Sequence, residues 1–247
     1  MAEVLGIDIG GSGIKGAPVD TVTGRLTAER HRIATPQPSV PKAVGRVVAR
    51  MARHFDRPGP IGCTFPAVVK HGKVLSAANV DQSWMGTDGE KLLSEAAGAP
   101  VSLVNDADAA GIAELRIGAG RGREGVVVLL TFGTGIGSAV FVDRLLVPNT
   151  ELGHLELHGG PAEHYAAARV RREEALSWDD WGERVGEYLR YVERLLSPDL
   201  FIVGGGVSRR FGRFSNRLQV GVEVVPAELR NQAGIVGAAL VAAELTG

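Results

Sequence analysis

Two glycine-rich loops, each running straight out of an apolar strand, constrain this chain more than any other feature. The first is Gly6-Ile-Asp-Ile-Gly-Gly-Ser-Gly-Ile-Lys-Gly16 and the second is Leu130-Thr-Phe-Gly-Thr-Gly-Ile-Gly-Ser-Ala139. Glycine lets a backbone turn sharply and aim successive N–H groups at one point, which suits phosphate oxygens. Gly10, Gly11, Ser12 and Gly13 are the candidate phosphate contacts of the first loop; Thr131, Gly133, Thr134, Gly135 and Gly137 are those of the second. An Asn105-Asp106 pair lies between them. Together these features point to a protein that holds a polyanion and moves a phosphoryl group.

Gly11-x-Gly13-x-x-Gly16 also spells a dinucleotide fingerprint, but that motif must open a helix inside a βαβ unit. Here Pro18, the β-branched run Val19-Asp-Thr-Val-Thr-Gly24 and a strand-like Arg25-Leu26-Thr27 follow, which predicts a hairpin instead. Asp8 stands inside the apolar strand and Lys15 just beyond the loop. A carboxylate there is costly unless it serves a partner, and hydrated Mg²⁺ is the expected one. Lys15 is placed to neutralise a transferring phosphoryl group.

Composition excludes several classes. The 247 residues are 45% hydrophobic, enough for a substantial core, and the net charge of −1 gives no global pull toward nucleic acid or membrane. Cys63 is the only cysteine, so neither a disulfide framework nor a cysteine zinc cluster is expected. No apolar run reaches the ~18 residues of a membrane span, and the chain opens directly into a strand without a signal-peptide pattern. A soluble cytoplasmic protein is the expectation.

Strand and helix patterns come in two similar halves. Val44, Val47, Val48, Met51 and Phe55 mark a helix face, Ile61–Phe65 a buried strand, Gly89–Ala97 a helix and Val101–Asn105 a strand. A helix over Ala107–Ile117 follows. The second half starts with the strand Val126–Thr131 and its glycine turn. Trp181, Val185, Leu189, Val192 and Leu196 mark another helix, Leu200–Val203 is a strand running into Gly204-Gly205-Gly206, and Gly234–Leu245 is an apolar closing helix. Each half begins strand, glycine turn, strand, a weak internal repeat. The expectation is an α/β protein of two related lobes with a cleft between them. A small N-terminal lobe would span 1–105, with 234–247 packing back on it, and a larger lobe 106–233.

Gly6–Gly16, Asn105-Asp106, Gly133-Thr-Gly-Ile-Gly137, Glu151-Leu-Gly-His154 and Gly204–Gly206 resemble the sugar kinases of the ROK (repressor, ORF, kinase) family. More narrowly, Ala78-Asn-Val-Asp81 with Ser83-Trp84, Asn105–Ala110 and Asn149–Glu156 resemble the polyphosphate-dependent glucokinases within it. The resemblance covers nearly the whole chain and implies the two-lobed actin-like ATPase (ribonuclease H-like) fold. It implies transfer of a phosphoryl group from polyphosphate, ATP or both to the 6-hydroxyl of glucose, and a homodimer. An ATP-only ROK hexose kinase is the rival within the class. A ROK-type sugar regulator is the rival outside it; such regulators carry a DNA-binding segment before the kinase-like fold, and none is expected ahead of a loop that begins at Gly6.

The resemblance makes Asp106 the general base and assigns glucose hydroxyls to Asn79, Asn105, Asp106, Glu151, His154 and Glu163. It puts donor phosphates and nucleotide on the two loops and on Gly204, Gly205 and Gly206. Mg²⁺ is implied with the phosphates, on Asp8 through water. No zinc is implied, since Gly159–Glu163 stands where many ROK kinases carry a cysteine-rich segment. The residues themselves agree on zinc: His154-Leu-Glu-Leu-His158 alternates as a strand does, which puts the two imidazoles ~13 Å apart, against zinc–nitrogen bonds of ~2.0 Å. Two arginine groups, Arg209/Arg210/Arg213 with Arg217 and Arg116/Arg121/Arg123, are candidates to track a polyphosphate chain.

Overall fold

The computed structural model describes residues 3–77 and 80–246. In chain order, β1 (Glu3–Ile9), β2 (Ile14–Asp20), β3 (His31–Ile33), α1 (Pro41–Phe55) and β4 (Ile61–Phe65) come first. A hairpin of β5 (Val69–Lys70) and β6 (Lys73–Val74) then leads to α2 (Gly89–Ala97), β7 (Val101–Asn105) and α3 (Asp106–Arg116). The second half holds β8 (Val126–Phe132), β9 (Ile136–Val142), β10 (Leu145–Val147), a hairpin of β11 (Glu156–Leu157) and β12 (Gly160–Pro161), and the short helices α4 (Glu163–Ala166) and α5 (Ala168–Glu173). It ends with α6 (Trp178–Leu196), β13 (Leu200–Gly204), β14 (Glu223–Pro226) and α7 (Ala233–Ala243).

The repeat seen in the sequence is a repeat of topology. One sheet runs β3-β2-β1-β4-β7 and the other β10-β9-β8-β13-β14. In each, the first three strands pair antiparallel and the last three parallel. Both glycine loops are therefore hairpin connections, β1–β2 and β8–β9. Ile14–Asp20 pairs with β1 along its whole length, so no helix follows the first loop and the dinucleotide reading falls. Arg25–Thr27 is not a strand; Leu26 makes only an isolated bridge to Val19.

The chain divides into two compact units, 1–113 with 232–247, and 114–231. The sequence-drawn boundary at 105/106 differs because the start of α3 packs with the first unit: a side chain on Gly237 of α7 would overlap the Ala109 carbonyl. Counting the closing helix, the first unit is the longer of the two. From Glu114 to Asn231 the chain belongs to the second unit. The buried Glu114 carboxylate there accepts backbone N–H bonds from Ala119 (2.9 Å), Glu228 (3.1 Å) and Leu229 (2.7 Å), the pairing a buried charge requires.

The first unit's core is built by Leu5, Ile7 and Ile9 of β1 with Val44, Val47, Val48 and Met51 of α1 and the fully buried Trp84. α7 is apolar all round, as a helix enclosed by its surroundings must be. It lies so close to the sheet that a side chain on Gly6 would overlap the Ile235 carbonyl, and one on Gly62 the Ala238 carbonyl. The second unit's core sets Trp181, Val185, Tyr188, Leu189 and Val192 of α6 against Phe132, Phe201 and Phe214. Among the described residues no helix is long and apolar enough to cross a membrane.

Gly62→Ala should lower stability by at least about 1–3 kcal/mol, because backbone rather than a flexible side chain fills the space. Gly212→Ala, with nothing within 4 Å of the added methyl, should stay within about 0.5 kcal/mol of the parent. Urea midpoints compare the two. An unchanged midpoint for Gly62→Ala would mean that α7 does not sit against β4.

Candidate functional site

In the first unit the polar residues collect at the carboxyl ends of the parallel strands, where open α/β sheets bind ligands. The register aligns Thr64 of β4, Asp8 of β1, Lys15 of β2 and Arg32 of β3 in one cross-strand row. Asp8 Oδ2 is 3.3 Å from Lys15 Nζ, and Oδ1 accepts the Thr64 hydroxyl at 3.0 Å. Asp8 is thus compensated by an ammonium and a hydroxyl, and no metal is needed to explain a carboxylate in that strand. Its side chain keeps 21% exposure, which fits an ion held through water. Among the described residues no group of three or more His, Cys, Asp or Glu is arranged to hold a metal.

Asn105 ends β7 and caps α3. Its Oδ1 accepts the backbone N–H groups of Ala107 (2.8 Å) and Asp108 (3.1 Å), while Nδ2 donates to the Ala67 carbonyl at 3.1 Å. Both lone pairs and one of two donors are committed, so the buried Asn105 has one N–H left to offer. Capping thus falls to Asn105, leaving Asp106 exposed on the first residue of α3, with Oδ1 accepting the Ala107 N–H at 2.8 Å.

In the second unit, Glu163 opens α4 and returns to the second glycine loop. Its Oε2 accepts the Ile136 N–H at 3.2 Å and occupies the space a Gly135 side chain would need. Gly133 and Thr134 are exposed at the loop tip, and Thr131 and Gly137 pair across the hairpin below it. Gly204 ends β13 beside Thr131. Gly205 has φ of 79° and backs onto the Phe132 carbonyl, so only glycine fits there, while Gly206 is open.

Ser138, to which the sequence reading gave no role, holds the Glu151–His154 turn. Its Oγ donates to the Thr150 carbonyl at 2.6 Å and accepts the Leu152 N–H at 3.0 Å, clasping the turn on both sides of Glu151. Gly153 lies on the Ile136 carbonyl, where a side chain would collide. The turn presents Glu151 and His154 together, Oε2 to Nε2 3.7 Å. The strand expected over His154–His158 is only Glu156–Leu157. His154 sits in a 3₁₀ turn, and His158 stands 2.9 Å from Glu187.

Asn79 lies outside the described residues; nearby, Asp81 caps the turn that buries Trp84. Arg209, Arg210 and Arg213 are exposed on a 3₁₀ segment, whereas Arg123 pairs with Glu223 at 2.7 Å and Arg217 with Asp179 at 2.9 Å. A cavity of about 460 Å³ beside α6 is lined by Arg217 but by none of the residues expected to bind sugar, donor or metal. Arg32, missed in the sequence, lies against the first loop and donates from Nη2 to the Ser12 carbonyl at 2.9 Å. Only its alternation with Lys15 across a hairpin could have signalled it.

Residues 4–168 match the ROK family. The chain is 50% identical over 237 residues to the polyphosphate glucokinase of Mycobacterium tuberculosis, covering 96% of this chain and 89% of that protein. It superposes with a TM-score of 0.94 on the inorganic polyphosphate/ATP-glucomannokinase of Arthrobacter sp. strain KM, at 50% identity over 99% of this chain and 100% of the other. A ROK family glucokinase from Streptomyces griseus, solved with glucose and AMPPNP, matches with a TM-score of 0.81 at 26% identity, over 98% of this chain and 100% of that one.

Burial holds the Glu151 carboxyl above the ordinary glutamate value of 4.5; His154 opposes the rise and Glu163 adds to it. The folded chain therefore binds this proton more tightly than the unfolded one. The resulting stability is complete below about pH 4.5 and lost as pH rises through the raised folded value. Glu151→Gln does not titrate, so its stability relative to the parent should grow from about pH 4 to about pH 7. A pH-independent difference in unfolding free energy would show that the carboxyl is fully solvated.

Proposed function

This chain belongs to the ROK family, and from that premise we propose that it is a glucokinase that transfers a phosphoryl group from inorganic polyphosphate or ATP to the 6-hydroxyl of glucose. The observation that carries the reading is Asp106. It is an exposed carboxylate at the carboxyl end of β7, held on the first residue of α3 by the capping amide of Asn105. Phosphoryl transfer asks the protein for positioning, charge neutralisation and a carboxylate to orient the attacking hydroxyl, rather than for covalent chemistry. Asp106 takes the proton of the 6-hydroxyl as its oxygen bonds to the terminal phosphorus and the donor's bridging P–O bond breaks. The relatives support the donors and the sugar: one is named a polyphosphate glucokinase and another a polyphosphate/ATP-glucomannokinase.

Sugar hydroxyls are assigned to Asn105 and Asp106 in the first unit and to Glu151, His154 and Glu163 in the second, with Asn79. Glutamate accepts hydrogen bonds and neutral histidine does either, the mixture a ring of hydroxyls needs. Asn105 contributes only its remaining N–H, and one Glu163 oxygen is already engaged by Ile136. Donor phosphates are assigned to the loop Gly10–Gly13 with Lys15, and to Thr131–Gly137; the nucleotide is assigned to Gly204–Gly206. Mg²⁺ would be held by Asp8 through water and would supply charge neutralisation to the donor phosphates. The same family reading makes the protein a cytoplasmic homodimer.

Asp106→Asn should fold normally and keep most of its glucose affinity, while kcat falls ~10²–10⁴-fold, the usual contribution of a positioned base. Initial rates with polyphosphate and with ATP, each against glucose and mannose, test the substrate assignment in the same assay. Near-parental turnover by the variant would reduce Asp106 to a helix-end residue and remove the mechanism. Activity should also require Mg²⁺ and survive a zinc-selective chelator, because no thiolate cluster exists in the sequence to hold zinc. Stoichiometric zinc lost together with activity would overturn that assignment.

A further inference from the structure

Gly13 is a glycine for an unusual reason. Its φ is not in the left-handed region, so backbone freedom does not require it. Its missing side chain leaves room for Arg32: Nε, Nη2 and Cζ lie 2.6, 2.7 and 2.8 Å from where a Cβ would stand. Arg32 therefore lies flat on the first glycine loop. It spends one N–H on the Ser12 carbonyl and keeps four of the five a guanidinium carries. The two residues that follow on the same segment act likewise, Thr35 Oγ1 on the Gly10 carbonyl (2.5 Å) and Gln37 Nε2 on the Gly11 carbonyl (3.5 Å). Three successive loop carbonyls, the groups that would repel an anion, are thus occupied from one side.

The electrostatics select an anion. Lys15 and Arg32 are direct cross-strand partners, and like charges so placed repel. Lys15 is neutralised by Asp8, but no ion pair among the described residues includes Arg32. The second loop is built the opposite way: there the Glu163 carboxylate fills the space beside Gly135. One loop is closed by a cation, its counterpart by an anion.

We propose that Arg32 is a donor-binding residue whose guanidinium, laid across Gly13, grips a phosphate of the donor next to the one neutralised by Lys15. This rests on reading the chain as a phosphotransferase. A phosphate is common to polyphosphate and ATP, so the two donors are separate arms of the test. Arginine suits the task because its planar fork offers paired N–H groups to phosphate oxygens.

The experiment titrates sodium tripolyphosphate into the parent, Arg32→Gln, Arg32→Lys and Gly13→Val by calorimetry at two salt concentrations, and measures KM for long-chain polyphosphate, ATP and glucose. Arg32→Gln should weaken tripolyphosphate binding about tenfold, the worth of one charge-assisted contact, and flatten its salt dependence. Arg32→Lys should recover part of the loss. Gly13→Val, which displaces the guanidinium without removing it, should reproduce it. KM for glucose should not move. A rise in KM for both donors puts Arg32 on phosphates they share; a rise for polyphosphate alone puts it on the chain beyond them; either supports the proposal. Tripolyphosphate affinity within twofold of the parent in Arg32→Gln, or in Gly13→Val if the former does not fold, overturns it. A parent that binds tripolyphosphate but turns over neither donor would instead sink the functional reading.

Discussion

The first unit depends on the approach of a helix backbone to a sheet. α7 reaches β1 and β4 at van der Waals distance because Gly6 and Gly62 have no side chains, and its other side takes the Ala109 carbonyl of α3 against Gly237. Such a contact removes a fully apolar segment from water and leaves no gap, and native interiors tolerate neither voids nor overlap. It also makes the last residues of the chain part of the unit that its first residues begin. The row Thr64, Asp8, Lys15, Arg32 is at the end of the strands that α7 covers, and a Cβ on Gly234, in the first turn of α7, would stand 3.3 Å from Asp8 Oδ1. Helix packing and the placement of charged groups are thus one arrangement.

The internal repeat carries two different charged closures on one topology. Both sheets place a glycine hairpin between their first two long antiparallel strands, and in both a glycine near the end of the loop makes room for a charged side chain from elsewhere in its unit. In the first that side chain is Arg32 from the edge strand; in the second it is Glu163 from α4. Each loop also closes on itself, though over different spans: Gly10 N–H reaches the Gly13 carbonyl three residues on at 3.3 Å, and Gly133 N–H the Gly135 carbonyl two residues on at 2.9 Å. The sign of the closing charge separates them. Positive charge beside backbone N–H groups favours phosphate, whereas the Glu163 carboxylate spends one oxygen on the Ile136 N–H and keeps the other as an acceptor for a hydroxyl.

Much of this was legible in the residues. The apolar faces of α1 and α6 lie where the 3.6-residue period put them, α2 spans its expected residues, and α3 and α7 are displaced by one or two residues at their ends. Glycine and proline punctuation was enough to reject a helix after the first loop. Short elements were not legible. The Glu151–His154 turn is 3₁₀ and β11 is two residues long, too short for any period to show. Arg32 and Ser138 were missed for a related reason. Each acts on a residue distant in sequence or hidden by the sheet register, and neither has a local pattern.

The sequence by itself determined the family, the α/β class, the two glycine hairpins and the chemistry of phosphoryl transfer. All of these rest on local residue identity: glycine spacing, the Asn-Asp pair, strand alternation. Only the tertiary structure decided which groups satisfy one another. It gave Asp8 to Lys15 and Thr64, made Asn105 rather than Asp106 the cap of α3, and moved the division of the chain from 105/106 to 113/114. Pairings of this kind depend on strand register and on the close approach of segments far apart in sequence. Burial then sets the cost of leaving a polar group unmet, and that cost is fixed by three-dimensional neighbours rather than by chain neighbours.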